Sequence, residues 1–143
     1  MNTINQRFHE IGNVVNFYKS FNRYADNSKS ELFDHLSRPF FSKQYKIFYR
    51  DHGISGFISW AYLDYESQEY YKTTGKILNW KSGNIIWLVD VLALNDIQSI
   101  VKWGKKYFTH ELGINQKVNY LRIDKESNIT KISKLSTMEF YNG

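Results

Sequence analysis

The stretch WKSGNIIWLVDVL, residues 80–92, decides the fold of this chain. A turn signal, Ser82-Gly83-Asn84, precedes an apolar run over residues 85–92, which is typical of a central strand covered on both faces. The run contains one acid, Asp90. A carboxylate there is costly unless it is paired, hydrogen-bonded or protonated. Asp90 is therefore either a functional acid or a structural residue that caps the strand or pairs with a Lys or Arg.

Length and composition bound the protein class. We take residues 1–143 as a single domain, which is long enough for a substantial core. A composition of 42% hydrophobic and 23% charged residues indicates a globular chain. No apolar run approaches the ~20 residues of a membrane span, and the polar start, MNTINQRFHE, predicts no signal peptide. The absence of cysteine excludes disulfides and thiolate catalysis and favours the cytoplasm. A net charge of +5 favours an acidic partner such as nucleic acid, an acidic carrier protein or anionic lipid.

Hydrophobic periodicity predicts an α/β (α+β) domain with helices packed on a largely antiparallel sheet. The predicted order is helix, helix, hairpin, helix, strand, helix, strand. The second helix starts at a cap, Ser28 or Ser30, and ends near Pro39, whereas the polar tail, 125–143, predicts no regular structure. The other predicted elements are helices over 6–21, 64–75 and 96–108, and strands over 44–51, 54–62 and 118–124.

Common catalytic motifs are absent. The chain has no phosphate-binding glycine loop, no HExxH and no GxSxG, and its four histidines lie far apart, so we expect no metal site. The basic residues form no block and match no nucleic-acid signature, so we expect no nucleic-acid partner.

Several short motifs, in order, resemble the RTX toxin-activating lysine acyltransferases over about residues 8–134. They are SKQYKIFYRDHG (42–53), GFISWAYL (56–63), WKSGNIIWLVDVLAL (80–94), FTHEL (108–112) and LRIDKESNITKISK (121–134). The resemblance implies a fold similar to the GCN5-related acetyltransferases. It also implies a cytoplasmic enzyme that moves a fatty acyl group from acyl-carrier protein to internal lysines of a protoxin before secretion. The acyl-carrier protein would be a co-substrate, and no bound cofactor is implied.

Carried over residue by residue, the resemblance places the essential aspartate of the family on Asp90. Its other motif positions fall on Ser59, Trp60, Trp87, Arg122 and Asp124. Trp60 and Trp87 also suit a core, and Arg122 with Asp124 also suits a strand-end ion pair.

The sequence departs from the family at the catalytic histidine, which members carry shortly after the first helix. Ungapped alignment places Tyr24 there, and no histidine occurs between His9 and His35. Histidine suits the chemistry because its pKa near 6.5 lets it accept a proton at neutral pH, whereas tyrosine, with a pKa near 10, is a poor base. His35 could serve instead, or be a surface or capping histidine beside Asp34. The long C-terminal helix usual in the family is also not predicted here.

Three functions fit these residues. The first is acylation of a secreted toxin, with Asp90 orienting or charging the attacking group and His35 or Tyr24 contacting the transferred proton. Backbone N–H groups of splayed central strands would support the oxyanion, and the aromatic faces around Trp60 and Trp87 would line an acyl or siderophore groove. In the second, the protein acts with a helper subunit in a microcin-maturation complex, which joins a siderophore to the C-terminus of a peptide. The third is a non-catalytic module that binds an acyl carrier or toxin peptide.

Overall fold

The computed structural model describes residues 4–123 and 129–139. Within them lie four helices and one five-stranded sheet, which confirms the α/β (α+β) class. The helices are α1 (Ile4–Lys19), α2 (Lys29–Ser42), α3 (Tyr65–Thr74) and α4 (Ile97–Leu112). The strands are β1 (Tyr45–Arg50), β2 (Gly53–Leu63), β3 (Ile85–Ala93), β4 (Lys117–Ile123) and β5 (Ile129–Ser136).

The strands follow chain order across the sheet, so the apolar run of the sequence, β3, is the central strand. All neighbours pair antiparallel except β3 and β4, which are parallel and joined by the α4 crossover. Their parallel register holds only two residue pairs, Trp87 with Asn119 and Leu88 with Tyr120. Beyond these pairs the two strands diverge, and this divergence makes room for a cleft.

Packing divides the core into three clusters. Helices α1 and α2 pack with Phe57 of β2, and α4 packs with Ile58 and Trp60 on the other face of that strand. Trp87 lies in a third cluster with Tyr71 of α3. An irregularity between Ser59 and Trp60 shifts the β2–β3 register, so that Ser59 lies opposite Asp90. The position of Asp90 relative to α1 and α2 is set by this register.

The second helix is longer than predicted. Pro39 lies inside α2, which continues to Ser42 and ends at Lys43 in the left-handed conformation (φ 60°). Proline lacks the N–H that would bond the carbonyl four residues back. Pro39 and Phe40 are nevertheless buried, so packing of the last turn outweighs this loss. The prediction that the helix ends near Pro39 is therefore wrong by about one turn.

The tail was predicted to be irregular, and this is wrong for β5, which pairs with β4 from Lys117↔Ser136 to Ile123↔Ile129. The sequence ITKISKLS does not alternate cleanly between apolar and polar residues, so it carries little strand signal. β5 is an edge strand with exposed Lys131 and Lys134, and lysines at an edge protect against unwanted pairing. Residues 124–128 and 140–143 of the predicted tail lie outside the described part of the chain.

Candidate active site

The site is centred on the carboxylate of Asp90, which is only 4% exposed. Its backbone N–H donates to Ser59 Oγ at 3.3 Å, which ties β3 to β2 at the register irregularity. The side chain points towards α1 and α2, where it meets three donors. Such a group is costly to bury unless its charge is matched by hydrogen bonds or a cation.

Three side chains from separate segments bind this carboxylate. The Tyr18 hydroxyl of α1 donates to Oδ2 at 2.7 Å, and the Tyr24 hydroxyl, in the turn after α1, donates to Oδ1 at 2.6 Å. His35 of α2 places Nε2 2.6 Å from Oδ2. Charge-assisted hydrogen bonds of this length are among the strong ones in proteins.

Local sequence explains why the donors converge. The apolar face of α1 carries Tyr18 into the core, and successive turn hydrogen bonds then bring Tyr24 back over it (Phe21 N–H to Tyr18 O, Tyr24 N–H to Phe21 O). Ser28 starts α2 with a capping box that includes Glu31. His35 follows seven residues after the cap, two helical turns on, and so faces β3.

Electrostatics favours a charged Asp90 and protonated tyrosines. Burial opposes the charge on Asp90, but His35, Tyr24 and Tyr18 outweigh it and hold the pKa of this carboxyl below its usual range. Burial, and then the Asp90 charge, raise the pKa values of Tyr18 and Tyr24 well above 10. Both hydroxyls therefore remain donors at neutral pH.

His35 is the partly exposed member of the cluster, with 36% of its side chain accessible. Burial lowers its pKa, but the charge and hydrogen bond of Asp90 outweigh burial and raise the pKa above 6.5. When Nε2 donates to Asp90, Nδ1 of the neutral ring is an acceptor. Within the described residues Nδ1 has no hydrogen-bond partner, so this nitrogen is free to take a proton from a ligand.

A cleft of about 560 Å³ opens between the diverging ends of β3 and β4, against α4. Its wall is mostly aliphatic, and the charged side chains that line it are Arg23 and Asp90. The Arg23 guanidinium lies 5.1 Å from the centre of the Tyr24 ring, a cation–π distance. The cleft thus reaches Asp90 itself, whereas Tyr18, Tyr24 and His35 do not line it.

In a comparison with protein families, a model of the RTX toxin acyltransferase family matches residues 3–137. The chain belongs to this family. Comparison with individual curated proteins gives no match, so the assignment rests on the family model. The family is one of acyltransferases that act on RTX toxins.

The structure of this family member brings together the three residues predicted to be catalytic, Asp90, Tyr24 and His35, with Ser59 alongside. Tyr18 also binds Asp90, and sequence reasoning missed it. The only signal for Tyr18 was its helical spacing within the predicted helix over 6–21, and the residue is fully buried in the structure.

The tryptophans predicted to line a groove lie elsewhere. Trp60 packs with Phe108 of α4, whereas Trp87 packs against Tyr71 and donates its indole N–H to Gln68 Oε1. Each is 2% exposed, and neither lines the cleft. The aromatic groove predicted from them is therefore not the cleft that the structure contains, whose wall is aliphatic.

The other residues named from the sequence lie partly outside the described part of the chain. Arg122 lies in β4, paired with Lys131, but its side chain and the whole of Asp124 fall outside the described residues. No three metal-binding side chains of His, Cys, Asp or Glu cluster among the residues that the structure describes. None of the helices in the same residues is both long and apolar enough to cross a membrane.

Proposed function

We propose that this member of the RTX toxin acyltransferase family moves a fatty acyl group from acyl-carrier protein to a lysine of a secreted toxin in the cytoplasm. The observation that carries the proposal is the His35–Asp90 pair, 2.6 Å apart, beside an aliphatic cleft. The pair supplies a positioned base, and the cleft supplies space for an apolar chain.

In the proposed reaction, the lysine amine attacks the thioester carbonyl and forms the new C–N bond. Nδ1 of His35 takes the proton that the amine nitrogen loses, and Asp90 stabilises the imidazolium that forms. The C–S bond then breaks, and the imidazolium of His35 returns its proton to the departing thiolate of the carrier. The products are an amide on the toxin and the free thiol of the carrier.

His35 suits the role of base better than Tyr24. The Tyr24 hydroxyl is committed to Asp90, and its raised pKa keeps it protonated at neutral pH. His35 has a partly exposed ring and a second ring nitrogen with no hydrogen-bond partner among the described residues, and imidazole is the side chain suited to proton exchange near neutral pH. The base of this acyltransferase would therefore come from α2 rather than from the turn after α1.

The cleft is the proposed acyl site. Its aliphatic lining includes Leu88, Val91 and Val101, and it reaches Asp90 at the divergence of the strands. Backbone N–H groups on the facing edges of β3 and β4 would support the oxyanion there, as in acyl transfer generally. The net charge of +5 would favour docking of an acidic carrier protein.

The test is intact-mass measurement of the toxin or peptide encoded beside the gene, co-expressed with wild-type protein, Asp90→Asn or His35→Gln. We expect a fatty-acyl mass gain with wild type and initial rates lower by about 10²–10⁴ in either variant. His52→Gln is the matched control, because His52 is exposed in the β1–β2 turn.

Other outcomes separate the alternative functions. A larger mass gain that needs a neighbouring partner protein and a siderophore would replace the proposal with microcin maturation. The absence of any gain, with tight binding of acyl-carrier protein or peptide, would indicate a binding module. Equal rates for His35→Gln and wild type would rule out His35 as the base.

A further inference from the structure

Two buried tyrosines share the carboxylate that binds His35. Tyr18 is fully buried and Tyr24 is 8% exposed, and their rings lie 4.9 Å apart. Tyr18 and His35 donate to the same oxygen, Oδ2, while Tyr24 holds Oδ1. The histidine therefore competes with two hydroxyls for one negative charge.

Packing alone does not explain the hydroxyl groups. The Tyr18 ring packs edge-on against Phe57 at 5.5 Å, a contact that phenylalanine would make equally well. A buried hydroxyl is costly without a partner, yet both hydroxyls reach the one carboxylate that also contacts the partly exposed histidine. The shared target ties the tyrosines to the chemistry of His35.

We propose that Tyr18 and Tyr24 are positioning residues that act through Asp90. Their hydroxyls share its negative charge, so that Asp90 holds the His35 ring in place and still allows the ring to lose its proton and act as a neutral base. This inference rests on the proposed role of His35. Each hydroxyl that binds the carboxylate weakens the electrostatic hold of Asp90 on the imidazolium. Without the hydroxyls, Asp90 would bind protonated His35 more strongly, and fewer molecules would carry the free base.

Among the described residues, other groups act electrostatically on the cluster, and the test of the tyrosines has to be compared with these. The groups that act electrostatically on its members are Arg23 in the turn, Asp34 of α2 and Tyr71 of α3. Arg23 opposes protonation of His35, whereas Asp34 favours it. Tyr71 is buried nearby but makes no hydrogen bond to Asp90 within the described residues.

The experiment is a pH titration of the His35 ring by NMR, combined with the pH profile of kcat/KM, in Tyr18→Phe and Tyr24→Phe. We expect the His35 midpoint to rise by about half a unit or more in each variant, and the acid limb of the activity profile to move with it. Tyr71→Phe is the control, which removes a neighbouring buried hydroxyl that does not bind the carboxylate. An unchanged midpoint in both folded variants would overturn the inference.

A second modification covers the case in which the phenylalanine variants do not fold. Site-specific 3-fluorotyrosine at position 24 keeps the hydroxyl and makes it a stronger donor, so we expect the His35 midpoint to fall. A midpoint that rises or stays fixed would contradict the proposal. The NMR titration requires no substrate, so failure of acyl transfer would refute the proposed function without deciding this inference.

Discussion

At the residue scale, the defining feature is the buried carboxylate of Asp90, whose pKa is held below its usual range. Three short hydrogen bonds and the possibility of an imidazolium partner offset the desolvation of Asp90. Removal of one partner would leave the remaining groups buried without compensation. The same contacts hold His35 in one orientation, so stability and proton transfer depend on the same atoms.

Stability and activity should respond to pH in opposite directions. The folded pKa of His35 is raised above 6.5, so the stability from its pairing with Asp90 is fully present below about pH 6.5 and is lost as pH rises through the folded value. Base catalysis instead increases through that value. We expect the difference in unfolding free energy between wild type and His35→Gln to shrink with rising pH in urea titrations.

The unfolding free energies should be measured above about pH 5, because Asp90, with its lowered pKa, stays ionised there. Circular dichroism in urea gives the free energies, and the activity profile gives the catalytic midpoint. A difference that grows with pH would show that the pKa of folded His35 is lowered rather than raised.

The sequence indicated part of this site for identifiable reasons. Asp90 stood out as an acid in an apolar run. Tyr24 and His35 were chosen because the family's catalytic histidine is missing: Tyr24 aligns with its position, and His35 is the next histidine along the chain. Tyr18 showed only helical spacing, because a tyrosine in an apolar helical pattern has the same appearance whether or not its hydroxyl is used. That its hydroxyl meets Asp90 depends on the packing of α1 over β3, which no local pattern encodes. The catalytic roles of Asp90, Tyr24 and His35 stay predictions.

At the element scale, α2 carries His35 and its start is fixed by a capping box. Ser28 Oγ accepts the Glu31 N–H at 3.0 Å, and Glu31 Oε1 accepts the Ser28 N–H at 2.9 Å. These contacts satisfy donors that a helix start leaves unpaired. The sequence offered Ser28 and Ser30 as caps, and the structure selects Ser28.

Ser28→Ala should destabilise the protein by about 1 kcal/mol, because it removes the side-chain acceptor of the cap. Ser30→Ala is the matched control: this serine is exposed in the first turn, two residues away, and is not the cap residue. We expect a change close to zero for the control in urea unfolding. Equal effects of the two substitutions would show that the capping box contributes little.

At the scale of the whole molecule, the cleft draws on β2, β3, α4, β4 and β5 together. Sequence analysis recovered the helices from their spacing and caps and the central strand from its apolar run, but β5 lacks such a pattern. The cleft needs β5, since Leu135 forms part of its wall. Local sequence patterns could therefore not predict that the wall of the cleft is aliphatic. They indicated a groove lined by Trp60 and Trp87, which are buried elsewhere.

A bulkier cleft wall should change the acyl chain that is transferred. Val101 is half-buried on α4 and lines the cleft, so Val101→Phe should shift the product towards shorter chains by filling part of the chamber. Competition between acyl donors of different length, read by product mass, measures the shift. Lys106→Phe places the same side chain on an exposed position of α4 as a control. An unchanged length distribution would place the acyl chain outside this cleft.

The two oxygens of Asp90 have a consequence for how such a site can diverge between relatives. Position 24 reaches Oδ1 and position 35 reaches Oδ2, from two segments that approach the acid independently. A histidine could thus be gained at one position before it is lost at the other, and the acid would keep a donor at every intermediate. The position that supplies the histidine could therefore differ between relatives, while the aspartate stays at the same position.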